Sequence, residues 1–391
     1  MKIAILTIAG FPEGLAASNR VFYHAKGLLE NGIYTEVIII KPTELCSDTK
    51  NFESKGVYKN IPFFYTTNKT VRSRYFILRR IDDFLGPIKG AIHVIRNKYN
   101  AAILSSNSFY HPLLYSVMFR LFRVKFIVER TESMFHNQKT HGIYKVRKWI
   151  FERTAYKRID ALFAISYFLQ EKYKTVVSKK AQVYLIPVIV DDKEIYKPEV
   201  KRTRNLVYTG PLNQKKDGIL TIIKSFTKIA DEYKDINLIM TGNLEKSSDR
   251  EKILELVENS PFKERMCFKG FVSREELIVL LNSALALVLA KPISEQSDSC
   301  FPTKLGEYLA SSNPIVITST GEIPLYLKDG INAYIAEPSS GESFTEKLRE
   351  LLNNPDKSKK IGEAGRKIAI ENFNYLKISK KIIDIIHNIK I

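Results

Sequence analysis

Two doubly wound, parallel-sheet α/β domains in tandem are what this chain predicts. Apolar runs alternate with amphipathic helical stretches along all 391 residues. The runs are continuously apolar rather than alternating, as strands covered on both faces are. At about 150 residues per domain, the length accommodates two or three such units. A composition 45% hydrophobic and 26% charged can bury sizeable cores and excludes a disordered chain.

In the first half, residues 2–9, 35–41, 101–106, 125–130, 161–166 and 183–187 read as buried strands. The opening residues carry one base, a short apolar stretch and then polar Ser18-Asn19-Arg20, so they read as a first strand and not as a leader. A helix follows over 18–31, with Ser18 as its N-cap and Gly32 as its stop. In the second half the strands are 205–210, 237–242, 266–270, 285–289, 314–318 and 333–336, each followed by helical pattern. The join falls near 187–198. This gives an N-terminal domain over 1–190, a C-terminal domain over 195–370, and an amphipathic tail over 371–391 expected to pack back on the first domain. Beyond Pro355 the pattern reads as one long helical region. Ligands of open α/β sheets bind outside the carboxyl ends of the strands, which puts the default site in a cleft where the two domains face each other.

The net charge of +19 is unevenly placed. Residues 195–369 hold 26 Lys and Arg against 24 Asp and Glu, so of the chain's 61 bases and 42 acids the remainder carries 35 against 18. The excess gathers at 69–98 and 120–180, and 144–153 interleaves bases with Trp149 and Phe151. Such a face is expected to meet an anionic membrane surface, a solvated basic helix being the alternative. No nucleic-acid-binding pattern accompanies it, and nucleic acid is not an expected partner. The longest apolar run, 284–290, is too short to span a bilayer. Cys46, Cys267 and Cys300 are widely spaced and odd in number, which argues against a disulfide framework or zinc site and for a reducing, cytoplasmic setting.

The strongest chemical signal is Ser299-Cys-Phe-Pro-Thr-Lys-Leu-Gly-Glu-Tyr-Leu-Ala310. A buried strand leads into a polar loop, and Pro302 suits the first turn of the next helix. The loop and helix start offer free amides and a positive dipole end to an anion, and Lys304 adds a full charge. Thr303, Lys304 and Glu307 share one helical face, where Glu307 is placed to accept hydrogen bonds from a ribose diol or to pair with Lys304. A second element, Tyr208-Thr-Gly-Pro-Leu-Asn-Gln-Lys-Lys-Asp-Gly218, again runs from strand end into helix. Gly210 permits close backbone approach, and Lys215 or Lys216 can reach phosphate. In the first domain, Ser18, Asn19 and Arg20 are candidates to contact an acceptor or a phosphate. Glu132 is a candidate carboxylate beside the reacting centre, a buried pairing of Glu129 or Glu132 with Arg130 being the alternative.

With these residues in view, the chain resembles the GT-B-fold retaining glycosyltransferases of the family-4 type. The resemblance rests on Gly210…Lys216-Asp-Gly218, Met240-Thr-Gly242-Asn243, Lys269-Gly-Phe-Val272 and Phe301-Pro-x-Lys-x-x-Glu-Tyr-x-Ala310, in that order. It implies that Lys216 contacts a donor diphosphate, Glu307 the donor ribose, and Phe271 and Val272 the base. Gly210, Gly242 and Asn243 would complete the donor site, with Ser299, Phe301, Thr303 and Lys304 holding phosphate and sugar. The catalytic set would be Glu132, Lys216 and Lys304, and the acceptor set Ser18, Asn19, Arg20 and His111. Three positions depart from the pattern. Pro211 stands where the family has Arg, Ser299 where it has the first of two Glu, and Glu132 or Thr131, or alternatively His111, where it has a His. The Phe-Pro-x-Lys loop looks like that of a bacterial surface-polysaccharide subgroup. The implied partners are a nucleoside-diphosphate sugar as substrate and a saccharide acceptor, expected to be lipid-linked. No cofactor or metal is expected, since no Asp-x-Asp is present. A nucleotide-sugar epimerase on the same scaffold, or a silent binding subunit of a polysaccharide-assembly complex, are the alternatives.

Overall fold

The computed structural model describes residues 1–108, 110–132, 146, 149–150 and 154–389. It divides into two compact units, 1–189 together with 375–391, and 190–374.

The first unit is built on an 8-stranded sheet. Its strands are β1 (Lys2–Thr7), β2 (Tyr34–Ile39), β3 (Lys55–Tyr58), β4 (Ile61–Tyr65), β5 (Ala101–Ser105), β6 (Lys125–Arg130), β7 (Ala161–Ala164) and β8 (Gln182–Leu185). They run in the order β3-β4-β2-β1-β5-β6-β7-β8. All pairs are parallel except β3 with β4, a hairpin turning through Lys59 and Asn60, both at positive φ as such two-residue turns require. This hairpin corrects the all-parallel expectation.

The helix expected over 18–31 spans Ala16–Glu30, and its N-cap position is Leu15, which has no capping side chain. Ser18 is therefore not the cap. It lies within the first turn, buried, where a Cβ on Gly14 would stand 1.9 Å from its Oγ. This helix packs against Tyr375–Asn388 at Gly27, where a Cβ would approach Ser379 Oγ to 2.1 Å. Tyr375 Oη donates to Glu30 at 2.6 Å to close the contact. The tail beyond Pro355 is not one helix. Helix Pro355–Ile368 widens through Ala369–Phe373 and breaks at extended Asn374 before Tyr375–Asn388 begins.

The second unit is a 6-stranded, wholly parallel sheet. It contains β9 (Asn205–Tyr208), β10 (Asn237–Thr241), β11 (Met266–Gly270), β12 (Ala286–Leu289), β13 (Ile315–Thr318) and β14 (Tyr334–Ala336), in the order β11-β10-β9-β12-β13-β14. The strand cores Leu206–Tyr208, Leu238–Met240 and Leu287–Leu289 are almost fully buried, as a sheet covered on both faces demands. β9 lies at its centre, so the loop leaving Tyr208 opens at the carboxyl edge where neighbouring connections diverge.

Candidate active site

At that edge two glycines bring backbone and lysine together. Gly210, at φ +127°, follows β9, and a Cβ there would stand 2.4 Å from Lys304 Nζ. Gly242, at φ +116°, follows β10, and a Cβ there would stand 2.1 Å from the Gly210 carbonyl oxygen. Lys304, in the first turn of helix Thr303–Ala310, donates to Asp217 Oδ2 at 2.8 Å and to Tyr208 Oη at 3.3 Å. Its ammonium also rests 4.5 Å from the centre of the Tyr208 ring.

Asp217 is 2% exposed and accepts a further bond from Tyr208 Oη at 2.9 Å. Lys291, just beyond β12, lies 3.9 Å from its other oxygen and donates to the Lys216 carbonyl at 3.0 Å. Burial alone would raise the Asp217 carboxyl, but Lys304 and Lys291 hold it below its ordinary value. Burial pulls both ammoniums down, and Asp217 opposes that. With both lysines protonated, the trio carries one net positive charge. Tyr308 Oη accepts from the Thr209 amide at 2.8 Å and fixes the loop above it.

Lys216 sits on the short helix Gln214–Asp217, capped by Asn213, whose Oδ1 accepts from the Lys216 amide at 2.9 Å. Its side chain is exposed and makes no ion pair among the described residues, though its charge further depresses Lys304 and Lys291. Asp217 and Lys291 are functional candidates that the sequence reading missed. The available signal was a Lys placed immediately after a buried apolar strand.

Glu307 does not pair with Lys304. Arg274 Nη1 donates to it at 2.5 Å, while Arg274 Nη2 lies 3.5 Å from Glu194. The two charged residues of the helix thus enter separate networks: Lys304 meets Asp217, and Glu307 meets Arg274 at the start of helix Arg274–Ser283.

Other expected donor residues divide between core and surface. The Phe301 ring is buried against Tyr326, stacked at 5.3 Å, and Phe373, so it packs the unit and leaves only its backbone to a ligand. Ser299 is likewise buried, its Oγ donating to Gln296 O at 3.4 Å at the end of helix Glu295–Ser299. Pro302 stands just before its helix, in the N-cap position, rather than in the first turn. Thr303 and Val272 are half-buried, and Phe271 is 64% exposed. Asn243 is exposed, its Oδ1 accepting from the Lys246 amide at 3.1 Å.

In the first unit, Arg20 is interior, which corrects its reading as an acceptor contact. Its Nε donates to Glu129 at 2.8 Å, and its other nitrogens donate to the carbonyls of Pro187 at 2.6 Å and Ile186 at 2.8 Å. His24 Nε2 meets the same Glu129 oxygen at 2.8 Å. Burial would raise the Glu129 carboxyl, but Arg20 and His24 hold it far below the carboxylate range. Glu129 therefore pairs with Arg20, not Arg130. Arg130 instead donates to Tyr156 Oη at 2.6 Å and to the Ser106 carbonyl.

His111 is buried beside Ser106, Nδ1 to Oγ 2.7 Å, and burial, with Lys41 and Arg130, lowers it to about 3. Asn19 is half-buried, and Glu132 is exposed just beyond β6. Of the stretch 144–153, Trp149 is exposed and Phe151 lies outside the described residues. A cavity of about 630 Å³ opens at the amino edge of this sheet, lined by Met1, Lys98, Asn100 and Lys125, opposite the edge where α/β sheets hold ligands.

Comparison with known proteins agrees with this architecture. Residues 191–368, which span the second sheet, match the family described as glycosyl transferases group 1. The MMP alpha-(1->4)-mannosyltransferase of Mycolicibacterium hassiacum is 24% identical over 204 residues, 52% of this chain and 47% of that protein. The chain spans between about half and just under two thirds of the length of the curated relatives it matches. Among solved structures, sucrose-phosphate synthase from Thermosynechococcus elongatus superposes with a TM-score of 0.74 at 16% identity, covering 99% of this chain and 98% of that one. Anabaena HepE in complex with UDP and glucose gives 0.73 at 14%, covering 99% of each. The fold is GT-B, and residues 191–368 match the glycosyl transferases group 1 family.

Proposed function

We propose that this protein transfers a hexose from a nucleoside-diphosphate sugar to a saccharide acceptor, lipid-linked, with retention of anomeric configuration, in surface-polysaccharide synthesis. The observation that carries this reading is the Lys304–Asp217–Lys291 group set against Gly210 at the carboxyl edge of β9. It lies within the segment that matches the family, and HepE, of like fold, is described in complex with UDP and glucose.

In the transition state the anomeric carbon gains oxocarbenium character and the departing diphosphate gains negative charge. Lys304, the amides at the start of its helix and the mobile-stemmed ammonium of Lys216 oppose that charge without needing a divalent ion. The acceptor hydroxyl attacks from the face that the diphosphate leaves, and its proton passes to the departing oxygen. Glu307 takes the ribose diol, exchanging its bond to Arg274 for two neutral donors. Acceptor binding falls to the first unit, where Glu132, exposed just beyond β6, is the carboxylate assigned to stabilise the oxocarbenium. A lipid-linked acceptor places the protein in the cytoplasm against the inner face of the membrane. Among the described residues no helix is long and apolar enough to cross one.

The test is a thermal-shift screen against UDP-, GDP- and TDP-sugars, followed by assay of diphosphate release with the sugar that binds. A ligand bound only by the native state raises the melting temperature. No shift with any of them, and no release, would refute the reading.

A further inference from the structure

Helix Phe76–Arg96 carries its small residues inside and its large ones outside. Toward the sheet it buries Gly86, Pro87, Gly90, Ala91 and Val94. A Cβ on Gly86 would stand 2.1 Å from the Ile40 carbonyl oxygen, so the helix sits close and no large side chain fits beneath it. Toward solvent its first half presents Phe76, Ile77, Leu78, Ile81, Phe84 and Leu85, with Ile77 71% and Phe76 59% exposed. Single exposed apolar residues need no explanation, but a run covering two turns does. The surface continues onto the start of helix Tyr110–Leu121, where Tyr110 stacks on Phe84 at 5.8 Å.

Bases border this surface. Arg72, Arg74, Arg79 and Arg80 are exposed, and the Arg80 guanidinium lies 4.8 Å from the centre of the Phe76 ring. Beside the first turn, Lys41, Arg72, Arg79 and Arg80 line a recess of about 190 Å³. Its acids, Asp82 and Asp83, pair with Lys69 at 2.8 Å and with Arg80 at 3.6 Å.

We infer that this face docks the protein on an anionic lipid bilayer, its apolar side chains entering the interface and the bordering arginines meeting lipid phosphates. The inference rests on the membrane-borne acceptor proposed above and names the surface that would serve it. Charge decides the occupant. A second copy would set arginine rim against arginine rim, whereas an anionic bilayer complements the rim and accepts a helix lying flat with its apolar side down.

Flotation of the full chain with phosphatidylglycerol-containing and pure phosphatidylcholine vesicles tests this. The wild type should float with the anionic vesicles and not the neutral ones, and less so as salt rises. The double variant Ile77→Ser, Phe84→Ser should lose about tenfold or more in affinity. Arg79→Glu with Arg80→Glu should weaken binding and flatten its salt dependence. Unchanged melting temperatures will show that the variants fold. Undiminished flotation of the Ile77/Phe84 variant overturns the inference, as does equal binding to neutral vesicles. Loss of a wild-type dimer in that variant, without any wild-type vesicle binding, would assign the face to a second copy. Vesicle binding without transfer of any sugar would sink the proposed reaction and leave this docking face standing.

Discussion

Lys304 and Asp217, 87 positions apart in sequence, meet at 2.8 Å beneath Gly210. A buried carboxylate shared by two lysines sets where positive charge is available at the carboxyl edge of β9.

Lys304→Ala should remove the cation that faces a departing diphosphate, at about 3–4 kcal/mol of transition-state stabilisation. Diphosphate release under saturating donor would fall by two orders of magnitude or more, on the order of that energy. Asp217→Asn leaves two buried ammoniums without a counter-charge and should cost about 3–5 kcal/mol of folding stability, measured by urea denaturation. A loss below 1 kcal/mol would show the trio to be loosely coupled.

Glu307→Gln should weaken UDP by about 1.5–3 kcal/mol, the scale of a hydrogen bond to a charged group. It should leave inorganic pyrophosphate binding unchanged. Arg274→Ala should strengthen UDP, because the carboxylate no longer has to leave a 2.5 Å partner. Calorimetry with both ligands separates ribose recognition from a purely structural Arg–Glu contact, in which all ligands would change together.

Gly242→Ala should be strongly destabilising. Its φ of +116° suits glycine, and the new Cβ would lie 2.1 Å from the Gly210 carbonyl oxygen. Strain alone accounts for about 1–3 kcal/mol, and the displaced carbonyl shifts the loop over Lys304. The denaturation midpoint and the UDP affinity should fall together.

Glu129 predicts acid sensitivity. Its native carboxyl lies below the ordinary 4.5 despite burial, held there by Arg20 and His24. Its contribution is complete above the unfolded value and is lost as pH falls below it toward the native one. Stability should decline in that window, and Glu129→Gln should lower stability at pH 7 and flatten the decline.

His111 should stay neutral across the ordinary imidazole range, since burial, Lys41 and Arg130 lower it to about 3. An NMR titration should show no step for its ring between pH 5 and 8. A step near 6.5, the unperturbed value, would mean that the ring reaches water.

The parallel strands were legible because each is a compact apolar run ended by polar or glycine residues. The β3–β4 hairpin was not, since β3 is short and half exposed and Pro62 interrupts β4. The donor loop was legible as a motif, with Lys304 and Glu307 one turn apart. Their partners were not, because Asp217, Lys291 and Arg274 arrive through the strand order rather than through local spacing. Ser18 and Arg20 had the composition of a surface loop. Only the fold shows that Gly14 admits Ser18 and that Arg20 ties its helix to the carbonyls beyond β8.

Helix Tyr375–Asn388 completes a core begun at the other end of the chain, with Ile378, Ile382 and Ile386 buried in one cluster with Ile3 and Ile5. The first sheet to leave the ribosome is therefore the last to be sealed. Residues 190–374 can close their own interior while the earlier-made strands still wait, with an apolar face open to chaperones, for their final cover.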